Sequence, residues 1–125
     1  MMKFAFRCGT ALCIVLASAL SAGAKREQPK PVTPVVSDGI RYAAEGDGVD
    51  EYVIASNASD GKMLWKVRVV HNEIDPRLER DVQDVYITDL SLAGSALLVR
   101  DEKSRCYNVN LTTKQVEKRL WCHGF

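Results

Sequence analysis

The chain has 125 residues, 17 of them Lys or Arg against 16 Asp or Glu, for a formal charge of +1. That near-neutral balance, with no basic run or stripe, argues against a nucleic-acid partner and gives no ground for an anionic membrane target. The length suits one domain with a modest core.

The first element is a targeting segment. Lys3 and Arg7 form a basic start, residues 11–20 are uncharged and apolar, and Ala22-Gly23-Ala24 has the small-residue pattern of a cleavage site. An apolar run of that length is roughly half of what spans a bilayer, so residues 1–24 read as a secretory signal rather than an anchor. A lipoprotein signal fits worse, because Cys13 lies inside the apolar run without the small residue that lipid attachment wants just ahead of it. Cleavage before Lys25 leaves one β domain, residues 37–125, behind a flexible Pro-rich arm at 25–36. The expected location is the periplasm or the cell exterior, with no stable membrane insertion after cleavage.

A short strand is expected at 40–44. The stretch "EGDGVDE", residues 45–51, reads as a solvated turn. Its Glu45, Asp47, Asp50 and Glu51 offer oxygen ligands, but their spacing does not match the EF-hand, and no metal is assigned. Residues 49–56 form the next strand, with Tyr52 and Ile54 on one face and Val53 and Ala55 on the other. Asn57 to Gly61 reverse the chain, since Asn and Asp bond back to their own backbone and Gly61 accepts positive φ. Met63, Trp65, Val67 and Val69 then share one face by period-2 alternation, opposite Lys66 and Arg68. The two strands read as a hairpin with Trp65 as core anchor.

Residues 71–84, "HNEIDPRLERDVQD", break the alternation. Asp75-Pro76 is placed to cap a short helical turn, and Ile74 and Leu78 to pin the segment to the core. Long loops in small β domains often bind partners, which makes Glu73, Asp75, Arg77, Arg80 and Asp84 a possible partner-binding set; a passive linker is the competing reading. Further strands follow at 85–92, 97–100, 106–111 (Tyr107, Val109 and Leu111 facing one way) and 116–120. The fold expected is all-β, about seven short antiparallel strands in meanders.

Two cysteines remain after cleavage, Cys106 and Cys122, and in an exported chain an even pair reads as a disulfide. If 106–111 pair with 115–120, Cys106 lies opposite Arg119 and Cys122 roughly 10 Å further on, so the tail must curl back to bring the Cα atoms within about 7 Å.

"IASNASDGKMLW" laid over "YNVNLTTKQVEK" places Asn57 on Asn110, Asp60 on Thr113, Gly61 on Lys114 and Met63 on Val116, an offset of 53 residues. Without the 71–84 insertion that offset comes close to the ~40-residue period of four-stranded propeller blades. Ala55-Ser56-Asn57, Asp60-Gly61-Lys62 and Leu64-Trp65 resemble the quinoprotein-type (PQQ-like) β-propeller repeat: Ala-x-Asp at a strand end, a Thr-Gly-Lys turn, then Leu-Trp. Asn57 and Asp60 depart from that pattern, and the second copy lacks the Gly and the Trp. The resemblance implies two blade-like units, three strands visible in the first and four in the second, too few for a closed ring. No cofactor, cofactor-binding residue or catalytic residue is carried over from it.

For chemistry the exported part has two histidines, His71 and His123, with Ser91, Ser95, Asp84 and Asp89 as paper partners and no nucleophile elbow. Asn57-Ala58-Ser59 and Asn110-Leu111-Thr112 are formal glycosylation sequons in turns, discounted because the compact signal suits a bacterium. The functional expectation is a non-catalytic protein-binding or structural module. Its partners would be another exported protein, or a second copy through an edge strand. A periplasmic enzyme inhibitor and a small hydrolase are the alternatives.

Overall fold

The computed structural model describes Glu27 and residues 29–125; residues 1–24, read from sequence as a signal, lie outside the described residues. Among those residues the chain forms eight strands and no helix. They are β1 (Val35–Ser37), β2 (Ile40–Gly46), β3 (Asp50–Asn57), β4 (Met63–His71), β5 (Ile87–Ala93), β6 (Ala96–Asp101), β7 (Cys106–Asn110) and β8 (Val116–Arg119). β1 to β4 make one antiparallel sheet in sequence order, and β5 to β8 make a second. The expected count of seven strands becomes eight because β1 is only three residues long. It follows a proline-rich stretch, and its Val35 and Val36 fall inside the arm as read from sequence.

The two sheets close on one core. Tyr42, Val53, Ala55, Val69 and Val70 of the first pack with Ile87, Leu97, Val99, Tyr107 and Val109 of the second. Val53, Ala55, Leu97, Val99 and Val109 are completely buried, and each of the larger ones contributes roughly 1.5–3 kcal/mol by leaving water. Alternation explains the choice of residues. In β3 the inward set is Glu51, Val53 and Ala55, and in β7 it is Tyr107 and Val109.

β4 departs from the expected alternation at both ends. Trp65 opposes Ala55 and Val67 opposes Val53, but the register shifts between Ala55 and Ser56 and again between Glu51 and Tyr52. The first bulge sets Met63 opposite Ser56, on the outer side, where it is exposed. The second lets Val69 and Val70 both turn inward, which unbroken alternation forbids.

The 53-residue offset has a structural counterpart. Asn57 N donates to Lys62 O and Gly61 N to Asn57 O; at the second position Asn110 N donates to Gln115 O and Lys114 N to Asn110 O. Asn57 Oδ1 accepts from Ser59 N, and Asn110 Oδ1 from Thr112 N and Thr113 N. Gly61 and Lys114 both take positive φ, +74° and +64°. The lysine holds a conformation better suited to glycine while its ammonium donates to the Leu111 carbonyl.

β8 ends at Arg119, which pairs with Cys106 as expected. The tail does curl back: Cys106 and Cys122 are bridged with Cα atoms 5.4 Å apart. Ser91 Oγ donates to Gly124 O at 2.9 Å, and the Arg100 guanidinium lies 5.0 Å from the centre of the Phe125 ring. Leu98, on the outer face of β6, is thereby covered by Gly124.

Candidate functional site: a polar seam and the loop above it

The two sheets are joined by residues 72–86, and the polar groups around this joint form the most organised part of the molecule. The turn between β2 and β3, residues 47–49, is its base, with the strand ends on either side occupying the rest of the 45–51 stretch read as a turn. Asp47 Oδ1 accepts from Val49 N and Asp50 N, both at 2.9 Å, and these bonds hold the Asp47 carboxyl below its ordinary value. Gly48, at φ +88°, has no room for a side chain, because a Cβ would stand 2.5 Å from Asp84 Cβ. Its carbonyl accepts from Val85 N at 2.9 Å and from Asn72 Nδ2 at 2.8 Å.

Glu51 corrects the reading of this stretch as a solvated turn. It is 2% exposed, and its carboxylate accepts from Gly48 N at 3.2 Å and from Ile87 N at 2.9 Å, so it ties one sheet to the other. Burial pushes its pKa up, and the two backbone donors pull the other way. Gly46 is the matching space: a Cβ there would fall on the Glu51 carboxylate.

Asn72 carries the network onward. It is buried, its Nδ2 also reaches Val85 O at 3.2 Å, and its Oδ1 accepts from Arg105 Nη2 at 2.9 Å. Arg105 Nε donates to Asp101 Oδ2 at 2.7 Å. Asp101 is buried and also accepts from Lys103 N, Arg105 N and the Tyr107 hydroxyl. Burial first, and the Asp101 charge second, push the Tyr107 phenol up to about 12. A buried carboxylate with this many donors is satisfied, and removing any one partner strands the others.

Above the seam the loop is ordered without regular structure. Gln83 is its staple: Oε1 accepts from Asp75 N at 2.7 Å, and Nε2 donates to the carbonyls of Asp75 and Glu79, both at 3.0 Å. The expected helical turn at Asp75-Pro76 is a single reversal instead, with Leu78 N donating to Asp75 O. Asp75 caps Arg77 N and pairs with its guanidinium at 2.8 Å. Arg80 pairs with Asp84 at 2.9 Å. Four of the five residues singled out in the loop thus pair with one another. Leu78 does not pin the loop inward; it is 60% exposed, and Val82 is 64% exposed. The fifth residue, Glu73, lines a polar cleft of about 410 Å³ together with His71, Asn72, Val82, Gln83, Lys103 and Arg105.

The other sequence candidates lie apart. His71 Nδ1 is 2.6 Å from Asp50 Oδ1, which also meets Arg68 at 3.3 Å. Ser91 is engaged with the tail, Asp89 with Arg100 and Thr88, and the His123 carbonyl with Arg119. No group of three His, Cys, Asp or Glu side chains among the described residues is arranged to hold a metal ion. Sequence reading missed Asn72, Gln83, Lys103 and Arg105. The last two lie in a charged turn that resembles any solvated turn, and only the burial of Asp101 reveals it as a joint. The chain matches no protein-family model and no curated protein.

Proposed function

We propose that this is an exported β domain that works by binding another exported protein, with the 72–86 loop as its contact surface. The observation that carries the reading is the loop's construction. Gln83 and the internal ion pairs fix its backbone, while Leu78 and Val82 are left exposed on it. A loop fixed in advance loses little conformational freedom on binding, and exposed apolar side chains on such a loop supply the anchors. The Cys106–Cys122 bridge fits an oxidising compartment, which supports export. The paired turn bonds at Asn57 and Asn110 support treating the two sheets as a pair of blade-like units.

The test is quantitative capture from the exported fraction. The tagged chain is compared with Leu78→Ser/Val82→Ser, two exposed changes that leave the melting temperature unaltered. A protein enriched by the parent chain and lost from the double variant is the expected result. Equal capture by both chains would contradict the loop as the contact surface. Turnover in an esterase, protease and glycosidase screen, abolished in His71→Ala, would replace the binding reading with the hydrolase.

A further inference from the structure

We propose that the corner formed by Leu120 and Trp121 docks the folded domain on an anionic lipid surface. Leu120 is 93% and Trp121 71% exposed, adjacent in sequence and just beyond the end of β8. They are not a loose end. Cys122 is bridged to Cys106, and Gly124 and Phe125 are tied to Ser91 and Arg100, so the corner projects from a fixed base.

Its surroundings are basic. Lys118 and Arg119 precede it directly. Lys103 adjoins Ser104, whose carbonyl lies 3.2 Å from Cys122 Sγ. Of the acids nearby, Glu102 is turned to Tyr86 N at 2.8 Å, Glu117 adjoins Lys118, and Glu73 shares a cleft with Lys103.

Size and chemistry select the occupant. Two side chains fall far short of the roughly 1,200 Å² that a stable protein interface buries. An exposed Trp and Leu directly beside a Lys and an Arg suit adsorption to an anionic bilayer surface: shallow insertion of the apolar pair, with the flanking cations at the headgroups. This is peripheral docking, and no helix among the described residues is long and apolar enough to cross a membrane.

The experiment is co-sedimentation of the chain recovered from the exported fraction with two kinds of vesicle, phosphatidylcholine alone and phosphatidylcholine with phosphatidylglycerol. Three chains are compared: the parent, Leu120→Ala/Trp121→Ala, and Lys103→Glu/Lys118→Glu. All changes are at exposed positions, and melting curves verify that each chain is folded. The parent is expected to bind the phosphatidylglycerol vesicles selectively and to release them as salt rises, with binding about tenfold or more weaker in both variants. Equal binding to both vesicles, no binding by the folded parent, or a double alanine variant that binds as the parent does would overturn the proposal. Concentration-dependent dimerisation lost in the alanine variant, without vesicle binding, would assign the corner to a second copy and overturn it as well.

Discussion

Trp65 shows how much one side chain can be asked to do in a small sandwich. It sits half-buried with its ring 6.0 Å from Tyr42, and Lys114, in the turn between β7 and β8, lies over it at 5.2 Å. A fully buried aromatic costs about 3–5 kcal/mol when cut to alanine. Partial exposure places Trp65→Ala lower, at about 2–3 kcal/mol in denaturant unfolding. Lys66, one residue along and on the other face, stands 4.4 Å above the Tyr52 ring, and Lys66→Ala should change stability by about 0.5 kcal/mol. Equal losses at the two positions would contradict the facing. Asp101 should be far less tolerant than either. Asp101→Ala strands Arg105 and the Tyr107 hydroxyl and should cost about 3–5 kcal/mol, measured in the same way.

At the scale of elements, the seam makes stability depend on pH in a direction of its own. The folded pKa of Glu51 is raised. Ionised Glu51 therefore works against the fold above that pKa, and acidification through it toward the ordinary value of 4.5 returns stability. Asp89, held below its ordinary value by Thr88 and Arg100, has the opposite sign: its contribution is present above the ordinary value of 3.8 and is lost as pH falls through the folded pKa. In mildly acidic solution, between those two regimes, the parent chain should gain stability on acidification relative to Glu51→Gln. Urea midpoints across that range provide the check, and parallel curves for the two chains would show that Glu51 does not titrate there.

These elements also show what a sequence can and cannot disclose. Period-2 alternation located β3, β4 and β7 to within a residue or two, because each sends alternate side chains into the core. It failed at Met63 and Val70, where bulges shift the register without any sequence signal. It also failed at β1, too short to alternate. The Cys106–Arg119 register followed from strand geometry, and the returning tail from that register together with the expected Cys106–Cys122 bridge. The seam was not legible: Glu51, Asn72 and Asp101 are polar residues in polar stretches. Their burial depends on the second sheet arriving from elsewhere in the chain.

For the whole molecule, two four-stranded meanders share one core, a buried polar seam and a disulfide that fixes the tail. A bridge with 16 residues of separation contributes on the order of 3 kcal/mol by restricting the unfolded chain. Cys106→Ser should therefore lower stability by about that amount and free the tail that covers Leu98. β5 lies against β1 and β2, and of the other two edge strands β4 carries Lys66 and Arg68 and β8 carries Glu117 and Lys118, charges of the kind that discourage edge-to-edge pairing. The most direct test of an exported, bridge-closed domain is the intact mass of the protein from the exported fraction, alkylated under denaturing conditions without reductant. The expected mass is that of a chain beginning at Lys25 with neither cysteine modified. A chain that retains residues 1–24, or one with both Cys106 and Cys122 alkylated, would contradict the account.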